Sequence, residues 1–174
     1  MPNLFAGKER KSMNPTDICE LKTEILKGQE VLATIQSYFD ANSAPGVFQK
    51  KDIKDAVFLA EIYVNYYTAA ETIFLRISQF LENHLSKDSW HRSLLNKMRL
   101  EIPGVRKAVI RDETYDVADE LLRFRHFKRY YFEFRYDWDR IEFLGTEFKK
   151  LTQLLQQDLK DYINFLDELA QEAT

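Results

Sequence analysis

Neither proline nor glycine interrupts residues 53–85, a run long enough for one helix of many turns. The chain has only 5 glycines and 4 prolines among its 174 residues, so tight turns are rare along it. Asp52 is placed to cap the run, and apolar residues occupy almost every side of the helix between Val57 and Tyr67. Apolar residues on all sides are typical of a helix at the centre of a domain. The sequence therefore predicts an all-α fold around a central helix.

Apolar residues at three- and four-residue spacing predict further helices on both sides of that run. A first helix is predicted from a cap at Asp17 to about Phe39, where the segment ANSAPGVFQKK breaks the pattern. The remaining helices are predicted over residues 88–100, over residues 113–135, and onward from a cap at Asp137 or Asp139. We therefore expect an up-down bundle of four long helices and one short helix.

The hydrophobic content of 45% is sufficient for a substantial core, and we predict a single domain over residues 15–174. Residues 1–14 contain few large apolar groups, so a flexible tail is expected there. The only cysteine, Cys19, excludes an internal disulfide and is expected to pack in the core. No run approaches the roughly 20 apolar residues of a membrane span, and no signal peptide is visible, so we predict a cytoplasmic protein without membrane contact.

Cations and aromatic rings are concentrated in one segment of this acidic chain. The formal net charge is −3, whereas residues 121–140 read LLRFRHFKRYYFEFRYDWDR. Non-specific coating of nucleic acid requires widespread positive charge, so any phosphate site here must be local. On a helix the aromatic residues of this segment share one face, which is expected to contact the core; they are Phe124, Phe127, Tyr131 and Phe134.

Arg125 and Arg129 lie one helical turn apart among apolar neighbours, and His126 and Tyr130 form a parallel row beside them. A guanidinium group in such surroundings requires an anion. One alternative is a structural ion-pair network with acids of the bundle, either on a packed helix or among Asp116, Asp119, Glu120 and Glu133. The other alternative is an RNA phosphate, with His126 and Tyr130 as groups that transfer protons.

The run LLRFRHFKRYYFEF, together with the upstream segments SWHRSLLNKM and EIPGVRKAVI, resembles the HepT-like branch of the HEPN (higher eukaryotes and prokaryotes nucleotide-binding) superfamily. The resemblance extends from about Phe58 through the last helix. It implies an all-α bundle that forms a homodimer and acts as a toxin ribonuclease, controlled by a small nucleotidyltransferase antitoxin. The implied substrate is RNA, either tRNA or mRNA, and the implied chemistry needs no metal and no other cofactor.

The signature of this branch is an arginine, four to six intervening residues, a histidine, and often a tyrosine two positions later. Arg125 matches the arginine, whereas Tyr130 stands at the histidine position and Phe132 at the tyrosine position. The resemblance implies a catalytic set of Arg125, His126 and Tyr130, in which arginine stabilises the phosphorane and histidine moves a proton. The neighbouring cations implied to bind RNA phosphates are Arg123, Lys128 and Arg129.

The departure from the signature leaves two functional interpretations. In some members the antitoxin transfers AMP to the signature tyrosine, and here Tyr130 or Tyr131 is the implied acceptor. The alternative to a toxin is a catalytically inactive HEPN module that acts in dimerisation and partner binding, because Tyr130 has replaced the histidine.

Polar residues outside the basic stretch are further site candidates. Glu71, in the crowded central helix, either orients a motif arginine across the bundle or forms a salt bridge within it. His84 and His91 flank a loop that contains Asp88, but two histidines and one acid are a weak set of metal ligands. We therefore predict no metal site.

Overall fold

The computed structural model describes residues 14–81, 90–103, 106–130 and 135–172, which form a bundle of α-helices. The helices are α1 (Pro15–Asn42), α2 (Pro45–Lys50), α3 (Ile53–Leu81), α4 (Trp90–Met98), α5 (Asp112–Arg129) and α6 (Trp138–Glu172). Within these ranges the only β-type pairing is an isolated bridge between Ile102 and Arg106. The predicted all-α class and the four long helices are confirmed. Apart from Asn14, the predicted tail lies outside the described residues.

Capping side chains set the first residue of three of the four long helices, and α5 has no such cap. Asn14, not the predicted Asp17, caps α1, and its Oδ1 accepts the N–H two residues later at 3.0 Å. Asp17 instead lies in the first turn, where its negative charge suits the positive end of the helix dipole. Asp52 and Asp137 accept the N–H two residues later in the same way, at 2.9 and 3.0 Å, as predicted before α3 and α6.

Two predicted boundaries are wrong. The break after α1 contains the short helix α2, which proline begins and Lys51 ends in the left-handed conformation with φ of 51°. The described bundle therefore has two short helices, where one was predicted. The helix α5 ends at Arg129 and not at Arg135, because the Tyr130 N–H turns back to the Phe127 carbonyl at 3.1 Å. Tyr130 thus does not extend a helical row from His126, and residues 131–134 lie outside the described ranges.

The long helix α3 lies at the centre of the bundle, as predicted, and contacts α1, α4, α5 and α6. Its neighbours α1 and α6 are antiparallel, because Lys22 binds Asp167 at 2.6 Å at one end and Phe39 packs on Phe148 at the other. All the apolar residues predicted to define the inner face of α6 are buried, namely Ile141, Leu144, Phe148, Leu151, Leu155, Leu159, Ile163 and Leu166. The helical spacing therefore located the core correctly.

Two predicted core positions are at the surface. Phe124 is buried, but Phe127 is 51% exposed, so the aromatic face of α5 reaches the core over a shorter length than predicted. Cys19 is also exposed, because its neighbour Ile18 and Leu21 occupy the inner face of α1. None of the helices in the described ranges combines the length and the hydropathy that a membrane crossing requires.

Candidate functional site

A cleft with a volume of about 340 Å³ opens where the end of α5 approaches α3 and α4. We call it the α5 cleft, and its lining residues are Val64, His91, Arg125, His126, Lys128 and Arg129. Four of these residues belong to the basic stretch of the sequence, and His91 is contributed by α4. Three of the four predicted cations, Arg125, Lys128 and Arg129, therefore line a concave surface on the bundle.

Glu71 of α3 joins two of the cleft residues, and its side chain is only 6% exposed. One carboxylate oxygen accepts a hydrogen bond from Arg125 Nη1 at 2.7 Å, and the other lies 2.6 Å from His91 Nδ1. An ionised carboxylate can only accept hydrogen bonds, so His91 Nδ1 is protonated and donates a hydrogen bond to Glu71. The approach of Arg125 Nη1 to Nδ1 at 3.4 Å then joins two donors and is not a hydrogen bond. Glu71 thus forms the salt bridge within the bundle and also orients the motif arginine.

The arginine is also fixed from the side of the core. Its Cζ lies 5.8 Å from the centroid of the Tyr67 ring, a cation–π contact. Burial, followed by the negative charge of Glu71, raises the pKa of Tyr67 far above its ordinary value of 10.0, so the phenol stays neutral. The Tyr67 hydroxyl has no hydrogen-bond partner within the described residues. Tyr67 therefore acts as a packing surface for Arg125.

His126 lies beside His91, with ring centroids 5.7 Å apart and an angle of 76° between the rings. Burial lowers the pKa of His126 below its ordinary value of 6.5, and the charges of His91 and Arg125 lower it further. The His126 ring is therefore mostly neutral at neutral pH. A neutral imidazole is the form that accepts a proton.

The cations of the α5 cleft are unequally paired. Lys128 binds Glu61, and Arg125 binds Glu71. Arg129 is exposed and pairs with no carboxylate of the described residues; its Cζ lies 6.0 Å from the centroid of the Tyr130 ring. Three cations thus line the cleft against two carboxylates, and the excess positive charge lies at Arg129.

Arg123 lies outside the cleft, in an ion-pair network on the surface of α5. It binds Asp119 at 2.6 Å and Glu120 at 3.5 Å, one turn earlier on the same helix. Asp119 also accepts hydrogen bonds from Arg92 of α4 at 2.9 Å. The structural ion pairing that the sequence left open is therefore present at Arg123.

Of the residues predicted for the site, the structure brings four together and leaves two apart. Arg125, His126, Lys128 and Arg129 share the α5 cleft, whereas Arg123 does not line it. Tyr130 is 72% exposed and also does not line the cleft, because α5 ends before it. The other predicted modification acceptor, at position 131, lies outside the described residues.

The position of His91 in this cleft was not predicted from the sequence. The sequence pattern groups His91 with His84 and Asp88, and these two residues lie outside the described ranges. Within those ranges no group of three or more His, Cys, Asp or Glu side chains is arranged to hold a metal ion. His91 and Arg125 are 34 positions apart, so no local motif links them. The only sequence signal was a histidine at the start of a short helix that follows the central one.

A comparison with known protein families matches the part of the chain that contains the α5 cleft. The model of a family described as HepT-like protein matches residues 58–166, which is more than half of the sequence. The match contains α4, α5 and most of α3 and α6, and hence every residue that lines the α5 cleft. A search of curated proteins and a search of solved structures each gave no match.

Proposed function

The chain belongs to the HepT-like family of the HEPN superfamily, and on this basis we propose that it is the toxin of a toxin–antitoxin pair. The proposed activity is that of a metal-independent endoribonuclease, held in check by a nucleotidyltransferase antitoxin. One observation supports the activity most directly: Arg125 and His126 meet in one cleft, beside the cation of Arg129 that no described carboxylate neutralises.

The proposed chemistry uses Arg125 and His126 on a scissile phosphate. Arg125 is one quarter exposed, and within the described residues only its Nη1 is engaged by Glu71. The remaining N–H groups of a guanidinium are suited to a phosphate, and they stabilise the extra negative charge of the phosphorane. His126, neutral because of its lowered pKa, takes the proton of the ribose 2′-hydroxyl as this group attacks the phosphorus.

The proposed substrate is RNA, either tRNA or mRNA, that crosses the α5 cleft. Lys128 and Arg129 line the cleft, and Arg123 lies two residues before Arg125 on the same helix. Phosphate contacts of this kind position the strand without reading its sequence. The net charge of −3 favours such a local contact over a general affinity for nucleic acid.

The proposed control combines a homodimer with modification of a tyrosine. Tyr130, at 72% exposure, is open to a partner enzyme and is our first candidate for the acceptor of AMP. An AMP group there carries negative charge next to Arg129, whose Cζ is 6.0 Å from the Tyr130 ring, and would oppose RNA binding. Tyr131 is the second candidate.

The position of Tyr130 also supports the alternative function, a catalytically inactive HEPN module. Tyr130 occupies the signature histidine position, yet it is outside α5 and does not line the cleft. On this alternative the Arg125–Glu71 pair is purely structural and the bundle serves dimerisation and antitoxin binding.

Cleavage of labelled RNA separates the two functions. We would incubate a labelled tRNA pool and a labelled mRNA, in EDTA, with the parent protein and with Arg125→Ala, Tyr130→His and Arg76→Ala. We expect cleavage by the parent and a loss of about 10² to 10³-fold in Arg125→Ala. Arg76 is the matched control, because it is exposed and lines a separate groove between α1 and α3.

The other outcomes are equally informative. An inert parent combined with cleavage by Tyr130→His identifies a dormant nuclease and supports the inactive module. If no protein cleaves either RNA, ribonuclease activity is wrong and partner binding remains. Equal losses in Arg125→Ala and Arg76→Ala would remove the α5 cleft from the proposal.

A further inference from the structure

We propose that His91, held by Glu71, is the second catalytic histidine of the α5 cleft and donates a proton to the leaving 5′-oxygen. This inference rests on the ribonuclease function proposed above. Cleavage by the 2′-hydroxyl needs one group that accepts a proton and another that donates one. His126 fills the first role, and the signature position, occupied by Tyr130, contributes no imidazole for the second.

The proposed step balances without a cofactor. The 2′-hydroxyl gives its proton to neutral His126 as the 2′-oxygen bonds to phosphorus. The bond between phosphorus and the 5′-oxygen breaks, and the departing oxygen takes a proton from the His91 imidazolium. The products are a 2′,3′-cyclic phosphate and a 5′-hydroxyl, and exchange of protons with water restores both histidines.

The contacts of His91 suit this role. Its Nδ1 donates to Glu71 at 2.6 Å, which fixes the orientation of the ring and makes Nε2 the nitrogen that exchanges protons with a substrate. A carboxylate at Nδ1 also balances the positive charge that the ring carries as an acid. Both members of this pair are largely shielded from water, with side-chain exposures of 17% for His91 and 6% for Glu71.

The spacing of the two histidines fits one scissile phosphate. Their ring centroids are 5.7 Å apart, so a phosphate that lies in front of both rings is within hydrogen-bonding reach of each. Glu71 binds Arg125 as well as His91, so one carboxylate fixes the proton donor and the phosphate ligand relative to each other. Glu71 is thus a positioning residue. The second imidazole of the site therefore comes from α4, because Tyr130 at the end of α5 has no imidazole.

The test requires a variant that removes Nε2 and keeps Glu71 satisfied. His91→Asn does so, because its amide can still donate a hydrogen bond to the carboxylate. The matched control is Ser93→Asn, which places the same residue at an exposed position of the same helix. We expect His91→Asn to lower kcat on RNA about 10² to 10³-fold, and Ser93→Asn to leave it unchanged.

A change of leaving group distinguishes a proton donor from a structural residue. After the parent cleavage site is mapped in the tRNA pool, we would synthesise that site with sulfur in place of the bridging 5′-oxygen. A thiolate leaves without a proton, so we expect His91→Asn to cleave this substrate at about the parent rate. His126→Asn should be slow on both substrates, because the attacking hydroxyl still needs a base.

A further measurement needs no variant. The parent should show a bell-shaped pH dependence on RNA, and its alkaline limb should vanish on the sulfur substrate. Circular dichroism and Tm would establish that each variant is folded, with His91→Gln as the second variant if His91→Asn is not.

The outcomes separate this inference from the function on which it rests. A parent that cleaves no RNA contradicts the ribonuclease function itself. A parent that cleaves, with His91→Asn equally active and unchanged in pH profile, contradicts the role of His91 alone. Equal losses of His91→Asn on both substrates, or an alkaline limb that persists on the sulfur substrate, also overturn the role as proton donor.

Discussion

At the start of α5 a buried carboxylate of α6 holds an arginine, and at the end of α5 a buried carboxylate of α3 does the same. Asp158 is 3% exposed and binds Arg111 Nε at 2.6 Å, while Glu71 is 6% exposed and binds Arg125 Nη1 at 2.7 Å. The two sites are nearly alike in the burial of the carboxylate and in the ion-pair distance. They differ in what else the carboxylate binds. Asp158 accepts the Arg111 backbone N–H at 3.1 Å and the hydroxyl of buried Thr114, whereas Glu71 binds His91.

This difference shows that a buried ion pair does not by itself mark a functional site. The second set of contacts of Asp158 satisfies groups that the start of a helix leaves open, which is a structural role. The cavity beside Asp158, about 570 Å³, is larger than the α5 cleft, but the described residues that line it include three acids and three cations and no histidine. Glu71 instead holds a histidine and an arginine that face the α5 cleft, next to Arg129, which has no described carboxylate partner. The partners, and not the size of the cavity, identify the site.

The largest effect on stability is expected at the structural carboxylate. Asp158→Ala removes the acceptor for three donors, one of them the hydroxyl of fully buried Thr114, so we expect the free energy of unfolding to fall by about 3 kcal/mol. For a chain of this size that corresponds to a decrease in Tm of roughly 6 to 12 °C. Asp161→Ala is the control, because Asp161 is exposed and bonds only Gln157 among the hydrogen bonds described. Similar Tm values for the two variants would contradict the assignment.

Glu71→Gln is expected to reverse this pattern, with a loss of activity that exceeds its loss of stability. An amide no longer balances the charges of Arg125 and His91, so we expect kcat/KM on RNA to fall about 10²-fold, which is roughly 2.7 kcal/mol. Its Tm should fall less than that of Asp158→Ala, because the amide oxygen of glutamine still accepts a hydrogen bond, whereas Asp158→Ala leaves the hydroxyl of buried Thr114 without its acceptor. Glu61→Gln, which alters the exposed Lys128 pair, should lose less than tenfold. A Glu71→Gln protein that unfolds readily but keeps its specific activity would show that Glu71, like Asp158, has only a structural role.

The helices and their buried faces were largely predictable from the sequence. Apolar spacing defined the buried face of α6 residue by residue, and the absence of breakers identified α3 as the central helix. The end of α5 was not predictable, because the aromatic pattern continues past Arg129. The chain turns there at a last turn rich in cations, which the negative end of the helix dipole favours. The sequence alone does not show whether the aromatic pattern extends the helix or the cations of the last turn end it.

The residues of the α5 cleft were predictable only where they lie close together in the sequence. Arg125, His126, Lys128 and Arg129 lie within five positions and could be assigned to one surface from helical geometry. The partners of Arg125 come from 54 positions away, at Glu71, and 34 positions away, at His91. Such pairs depend on how three helices pack together, and the spacing of residues along one helix contains no record of that packing.

A smaller effect is expected from the cation that lacks a described acidic partner. Arg129→Ala should weaken RNA binding up to about tenfold and reduce the slope of log affinity against log salt by about 0.7, with kcat nearly unchanged. Arg123→Ala is the matched comparison, because Asp119 and Glu120 already neutralise that guanidinium, and it should change the slope less. Binding of labelled RNA over a salt series, in a His126→Asn background that does not cleave, measures both. A larger slope change for Arg123→Ala would move the RNA path away from the cleft.

The smallest expected effect is a displacement of the pH dependence. Burial, the charge of His91 and the charge of Arg125 lower the pKa of His126 below 6.5 in the folded protein. The neutral ring is the base, so kcat/KM should fall only as the pH drops through that lowered pKa, and the acid limb should have its midpoint below 6.5. His91→Asn removes one of the causes and should move the midpoint upward, whereas Arg76→Ala should not move it. A midpoint at or above 6.5 in the parent would assign the base to a group other than His126, and the α5 cleft would then resemble the Asp158 site in its chemistry as well as in its burial.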